Sequence, residues 1–277
     1  MTFRILIALV GLGMAFSLPA KAGIQNPIVE GDELSADIEL TPGLKAELVL
    51  RFEKSVGLSV DNLGLSASTI DITDLDILQR LPDPTAINLL SSFPVRVTVA
   101  PPADGGFAFE GVAEVELYTR NLQYTAATPF RIFAASPGED FRDITASVSG
   151  GSYRTRGSTG NFSDFLIVAD TRLLPDAINA KFDHLEASLN QFATEMDSVL
   201  FNELDVALQA SRSAWAGGDA ATALDYLQSF EALVEAASGT GLPNVWRSAR
   251  DLDNVAGVLR AEAQTLRFSL TQAINFS

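Results

Sequence analysis

Between Leu34 and Asp170 apolar and polar residues alternate in short runs rich in Val, Ile, Thr and Phe, broken by Gly, Pro, Asn and Asp. A period of two with such punctuation predicts strands that bury one face. Residues 36–40 and 45–52 flank Thr41-Pro42-Gly43 and predict a hairpin, and residues 68–73 predict a third strand. Residues 76–92 contain Pro82 and Pro84 and carry helical spacing at Ile87 and Leu90, so a crossover with a short helix is expected there. Strands resume at residues 93–99, then at 107–110 after a Pro- and Gly-rich turn, and at 112–118, 128–133, 143–148, 153–156 and 165–168. Closely spaced strands without long helices between them predict an antiparallel sandwich of immunoglobulin type, with a closed barrel as the alternative.

Past Leu174 the period lengthens. Phe182, Leu185, Leu189, Phe192, Met196 and Val199 recur at steps of three and four, which places them on one helix face. A second helix is expected over residues 202–215, with Leu204, Leu208 and Trp215 inward. Gly217-Gly218 ends it, Asp219 is the expected N-cap of the next, and Ala223, Leu227, Phe230 and Val234 mark that helix's buried stripe. Leu242-Pro243-Asn244 is expected to open a last helix with the stripe Val245, Ala249, Leu252, Ala256, Leu259, Ala263, Leu266 and Leu270. The fold class is therefore α+β: a sandwich over residues 23–174 followed by an antiparallel helical bundle over 175–277.

The first residues change the picture of where this chain works. Arg4 precedes a run from Ile5 to Leu18 without a charge, and Ala20-Lys21-Ala22 follows, so residues 1–22 have the layout of a cleavable signal peptide. The run of about 14 residues is short of the roughly 20 that cross a bilayer as a helix. The expectation is a bacterial protein exported to the periplasm or beyond the cell, with no integral membrane span after cleavage.

The chain holds 19 basic and 35 acidic residues, a formal charge of −16. Loss of Arg4 and Lys21 with the leader leaves 17 basic against 35 acidic residues, or −18. Such a surface repels phosphate backbones and anionic lipid, which argues against nucleic acid and leaves cationic partners or Ca²⁺ easier to accommodate. There is no cysteine, so disulfides, thiol nucleophiles and Cys-based metal sites are excluded, and stability rests on the hydrophobic core.

No catalytic constellation stands out. His184 is the single histidine, so a histidine triad would depend on it alone, and no G-x-S-x-G element supplies a serine. Neither a P-loop nor a dinucleotide Gly fingerprint is present. The densest acidic cluster, Asp71, Asp74 and Asp76 with Thr73, is a weak candidate for Ca²⁺, although the EF-hand pattern is missing. Arg154 and Arg156 share a strand face and could meet an anion; a solvated face is the plainer reading. Tyr118, Tyr124 and Tyr153 are the visible candidates for an aromatic row that would bind a glycan, and Trp215 and Trp246 are expected to be packing residues.

Two stretches resemble known modules. Asp143-Ile144-Thr145, Ser152 to Gly157 and Phe162-Ser163-Asp164-Phe165 resemble the closing strands of sandwich modules common in bacterial surface and exported proteins. Ala207, Ala210 and Ala214 before Gly217-Gly218-Asp219, then Ala223, Leu224, Leu227 and Phe230, resemble the helical FIMAH-type module found at the C-terminus of exported bacterial proteins. Neither family brings catalytic residues to carry over. The expectation is a non-enzymatic binding or structural module of the cell envelope, its partner an envelope protein or a glycan, with no catalytic or cofactor-binding residues assigned. A carbohydrate-active hydrolase or a glycan-binding adhesive module is the alternative.

Overall fold

The computed structural model describes residues 23–136, 138–162 and 164–276, so the expected signal peptide lies outside the described residues. Two antiparallel sheets pack face to face. Their strands in chain order are β1 (Ile24–Glu30), β2 (Glu33–Thr41), β3 (Leu44–Val56), β4 (Leu65–Thr69), β5 (Ile87–Leu89), β6 (Val95–Val99), β7 (Ala108–Thr119), β8 (Phe130–Ala135), β9 (Arg142–Asp143), β10 (Thr145–Ser149), β11 (Tyr153–Thr159) and β12 (Asp164–Asp170). One sheet runs β1-β2-β3-β7-β11-β10, and the other runs β4-β6-β12-β8-β9 with β5 also on β12. Short helices α1 (Val60–Leu63) and α2 (Leu75–Leu78) sit in the connections. The helical part comprises α3 (Leu174–Gln191), α4 (Ser198–Ala216), α5 (Ala220–Ala237) and α6 (Val255–Asn275), with a further strand, β13 (Val245–Arg247), before α6.

The expected hairpin forms as β2 and β3, which turn at Thr41 to Leu44. Its alternation buries Leu34, Ala36 and Ile38 opposite Leu50, Leu48 and Ala46. The two strands expected at 107–110 and 112–118 are one, β7, because Gly111 takes φ +69° and lets the strand continue through an irregularity opposite Phe52 to Lys54. The segment expected at 143–148 changes sheets instead of running on: β9 pairs with β8 and β10 with β11. Asp143 holds this corner, its Oδ1 accepting from Thr145 N at 2.8 Å, while Ile132 N donates to Thr145 Oγ1 at 3.0 Å.

Three expectations need correction. Where helical spacing at Ile87 and Leu90 suggested a helix, Ile87 to Leu89 form β5, because Asp83 closes a turn on Thr85 N at 3.0 Å and delivers the chain, extended, to β12. The third strand ends at Thr69, and Asp71 to Thr73 turn back through the Asp71 side chain. The last helix starts at Val255, not at Asn244; Ala249 is exposed and Leu252 is 42% exposed, so both fall outside its stripe. A strand at residues 24–30 was not anticipated, since its side chains beyond Ile24 are all exposed and show no alternation.

Two of the long helices begin at aspartate caps. Asp197 accepts from Val199 N at 2.8 Å and Leu200 N at 3.0 Å and so begins α4, which leaves Val199 exposed instead of extending the α3 stripe. Asp219 caps α5 on Thr222 N at 2.9 Å. Phe182, Leu185, Leu189, Leu204, Leu208, Leu227, Phe230, Val234, Leu259, Leu266 and Leu270 make the helical core as their spacing predicts.

The helical part gives a strand back to the sandwich. β13 pairs with the first residues of β7, Trp246 opposite Phe109. The Trp246 ring enters a cluster of Phe107, Phe109 and Phe162, edge-on to Phe162 at 4.9 Å. The first turn of α6 then rests on the sheet. Asn254 Nδ2 donates to Gly111 O at 2.7 Å and Gly160 O at 3.1 Å, while its Oδ1 caps Gly257 N at 3.0 Å.

Candidate functional site

Two helices with a second buried face make the site. Beside its apolar stripe α3 buries Ala177, Lys181 and Ser188, with half-buried His184 between them; α6 likewise buries Ala261, Glu262, Thr265 and Ser269 beside Leu259, Ala263 and Leu266. Steps of three and four keep each second set on one side of its helix. That side faces the corner where β9 passes to β10. A cleft of about 470 Å³ lies between them, walled by α3, α6, Phe141 to Ile144, and Arg172.

Its charged groups are partly paired already. Lys181 Nζ lies 2.7 Å from Asp143 Oδ2 and donates to Thr265 O at 3.1 Å, so one ammonium ties α3 to β9 and α6. Burial pushes the Asp143 carboxyl up, but the charges of Lys181 and Arg131 with the Thr145 hydrogen bond outweigh it and hold the group below the usual carboxylate range. Burial pushes Lys181 down against the pull of Asp143. Arg172 is closed off by Asp170, with Nε–Oδ1 at 3.0 Å and Nη2–Oδ2 at 2.7 Å.

Glu262 is not so served. Ser188 Oγ donates to its Oε1 at 3.0 Å. His184 Nε2 lies 3.0 Å from the same oxygen but without hydrogen-bond geometry, and Oε2 has no partner although the residue is 7% exposed. At the mouth, Glu139 and Asp140 are exposed, and neither they nor half-buried Arg142 has an ion-pair partner among the described residues. Ser188, His184 and an acid thus share the cleft, yet the serine gives its proton to Glu262 and no hydrogen bond joins it to His184 among the described residues.

The residues singled out from sequence fall elsewhere, His184 excepted. Asp71 accepts from Thr73 N at 2.8 Å and Thr73 Oγ1 at 2.7 Å, and these bonds hold its carboxyl low. Asp74 caps α2, accepting from Asp76 N at 2.9 Å. Among the described residues no group of three or more His, Asp or Glu side chains is placed to hold a metal ion. Arg154 and Arg156 both pair with Glu116, which is 2% exposed, Arg156 Nε at 2.5 Å. Tyr153 is fully buried and donates to Phe130 O at 2.8 Å, so the three tyrosines form no exposed row. Trp215 donates to Asn179 Oδ1 at 2.9 Å.

Lys181, Ser188 and Glu262 were missed because they look like ordinary solvated helix positions. The available signal was the second stripe of small and polar residues, Ala261, Thr265 and Ser269 at four-residue steps beside an already complete apolar face.

No helix among the described residues is long and apolar enough to cross a membrane. None of the curated proteins compared with this chain matches it. Two solved structures from Clostridium perfringens ZmpB, the CBM51-2 and INT domains in complex with GlcNAc and the same domains alone, superpose with TM-scores of 0.19 and 0.18 at 12% and 11% identity. Each comparison covers 78% of this chain and 55% of the other, so the chain spans about half the length of those structures, and superposition this loose carries no argument. Residues 5–273 match a family of unknown function, DUF6689, and the chain belongs to that family.

Proposed function

We propose that this protein is an exported, non-catalytic binding protein of the bacterial envelope, and that its binding element is the cleft between the sandwich and helices α3 and α6. The observation that carries the reading is the buried Glu262 carboxylate, which lines a cavity of about 470 Å³ with one oxygen unpartnered. A cavity of that size, in which Phe141, Phe192 and Ala261 stand among many polar and charged side chains, suits a small polar ligand. Rigid walls support it. Trp246 in the sandwich core and Asn254 on two sheet carbonyls leave α6 little freedom to move relative to the strands. The leader-like residues 1–22 and the resemblance of both parts to modules of exported proteins favour the compartment.

The pairing of Lys181 with Asp143, which leaves that ammonium no free role in the cleft, supports the non-catalytic reading. The test is a panel of small metabolites scored by thermal shift on the wild-type protein and on Ala180→Trp, whose new ring fills the cleft from an exposed rim position. Ligands that raise Tm in the wild type are expected to lose their effect in the variant. If no ligand shifts Tm, and crosslinking in cells instead captures one dominant protein held at the open β1 edge, the reading fails in favour of a scaffold.

A further inference from the structure

We infer that a second, smaller cavity beside the cleft binds a small monocarboxylate through Arg131, Arg172, Ser269 and Gln272. This cavity measures about 190 Å³ and lies where the start of β8, the end of β12 and the last turns of α6 meet. Asp143, Arg172 and Ala177 wall both it and the cleft, but its chemistry is separate and stands whether or not the cleft is filled.

The carboxylates in its wall are taken. Asp170 receives Arg172 Nε and Nη2 on its two oxygens, and Asp143 receives Lys181 Nζ and Thr145 N. The donors are not. Arg131 gives Nη1 to Thr128 O at 2.8 Å and Phe130 O at 2.7 Å, while its Nε and Nη2 have no hydrogen-bond partner among the described residues. Arg172 Nη1 has none there either, nor do the hydroxyl of Ser269, a residue 4% exposed, and the amide of half-buried Gln272. These groups are open to a ligand, because the unpartnered side-chain atoms that are sealed from solvent lie elsewhere, on Arg96, His184, Glu231 and Glu262. Four donor groups in the wall of one cavity, with its carboxylates already served, call for an acceptor from outside.

Charge makes that acceptor an anion. Arg172 and Lys181 each have a carboxylate at ion-pair distance, and Arg131 has none among the described residues. Three cations thus stand against two carboxylates around the cavity, the reverse of the balance in a chain of net charge −16. Asp83 also acts on Arg172, but less than Asp170 and Asp143 do. Lys181 feels the crowding: burial pushes it down, and the charges of Arg131 and Arg172 push it down further against the pull of Asp143. One added negative charge balances the cluster and a dianion overshoots it, which favours a monocarboxylate over phosphate. Shape adds the rest. The Phe268 ring lies 5.5 Å from the Arg131 guanidinium carbon, and with Leu174 and Phe276 it gives the cavity an apolar side. A space smaller than the roughly 300 Å³ of an ordinary ligand site suits a carboxylate head with a short aliphatic tail.

The experiment titrates the full mature chain with butyrate, with its neutral and cationic analogues butyramide and n-butylamine, and with inorganic phosphate, followed by calorimetry and by amide chemical-shift mapping. Saturable binding of butyrate is expected, with shifts concentrated on residues 127–131 and 268–276. The other three probes are expected to bind about tenfold more weakly or worse. Gln272→Glu keeps the shape of a half-buried side chain and adds a negative charge, and Arg131→Gln removes the unpaired cation; each is expected to weaken butyrate binding by about tenfold or more. Should Arg131→Gln fail to fold, Gln272→Glu and the comparison of probes on the wild-type protein decide. Butyramide or phosphate binding as tightly as butyrate, or butyrate binding untouched by Gln272→Glu, overturns the inference. Butyrate shifts confined to residues 139–142 and 184–191 would put the anion in the cleft and overturn it too, as would an absence of saturable shifts with butyrate.

Discussion

The Lys181 ammonium meets the Asp143 carboxylate at 2.7 Å, with side chains 7% and 5% exposed, and this pair joins the helical layer to the corner at which the sandwich strand changes sheets. Removing one partner of a buried pair strands the other charge. Lys181→Met or Asp143→Asn alone is expected to lower stability by about 3–5 kcal/mol, and the double variant to recover part of that loss. Urea unfolding of the four proteins measures the coupling. Single losses below about 1 kcal/mol would show that the pair is hydrated and structurally idle.

The same carboxylate sets a pH dependence. Because the folded Asp143 carboxyl lies below its unfolded value, the stability it contributes is complete above the ordinary carboxylate range and lost as pH falls through the folded value. Asp143→Asn is therefore expected to flatten the acid limb of a plot of stability against pH. An acid limb as steep as the wild type's would remove Asp143 from the account.

Trp246 is the plug between the two parts, ringed by Phe107, Phe109 and Phe162 at 4.9–6.3 Å. Trp246→Ala is expected to cost about 3–5 kcal/mol. Of the two tryptophans, Trp246 is the more buried, so the variant should also lose the shorter-wavelength part of the emission. An unchanged midpoint with the emission altered would mean that the sandwich core closes without it.

At Gly257 propensity and packing point in opposite directions. Alanine in a helix is favoured over glycine by about 1 kcal/mol. A Cβ there would stand 2.2 Å from Gly111 O, a backbone atom that cannot swing away. Packing wins, and Gly257→Ala is expected to destabilise by about 1–3 kcal/mol. A stabilised variant in thermal unfolding would place α6 farther from the sheet.

Asn254 carries two duties at that contact, capping α6 and donating to both Gly111 O and Gly160 O. Its replacement by Ala is expected to cost more than the roughly 1 kcal/mol of a lost cap, because two buried carbonyls lose their donor. Replacement by Asp keeps the cap but brings acceptor against acceptor, and it should be no better than Ala. If Asp restores stability, the cap alone matters.

Much of this architecture is legible along the chain. The period-two runs at Leu34 to Ile38 and Ala46 to Leu50 and the stripes Ala223 to Val234 and Ala256 to Leu270 became buried faces as their spacing implies. Asp219 capped the helix it precedes. The misreadings fall where a segment is short and its surroundings choose for it. Val245 opens a helical stripe on paper, yet it forms a strand with Trp246 because the start of β7 offers unpaired backbone and an aromatic pocket. The spacing of Ile87 and Leu90 fits a helix equally well until β12 is there for Ile87 to Leu89 to pair with.

The sequence by itself determined two things about this protein: most of the residues that exclude water, through the periods of two and of three to four, and where helix α5 begins, through the Asp219 side chain that caps it. These are local properties, set by backbone geometry and by side chains a few positions apart. Only the tertiary structure decided that α6 lies on the sandwich, that Lys181 meets Asp143 across 38 positions of sequence, and that Glu262 is buried with an oxygen unserved. The physical reason is that a polar residue on a helix has the same local preference whether water or a cleft stands opposite it, and what stands opposite comes from chain far away in sequence.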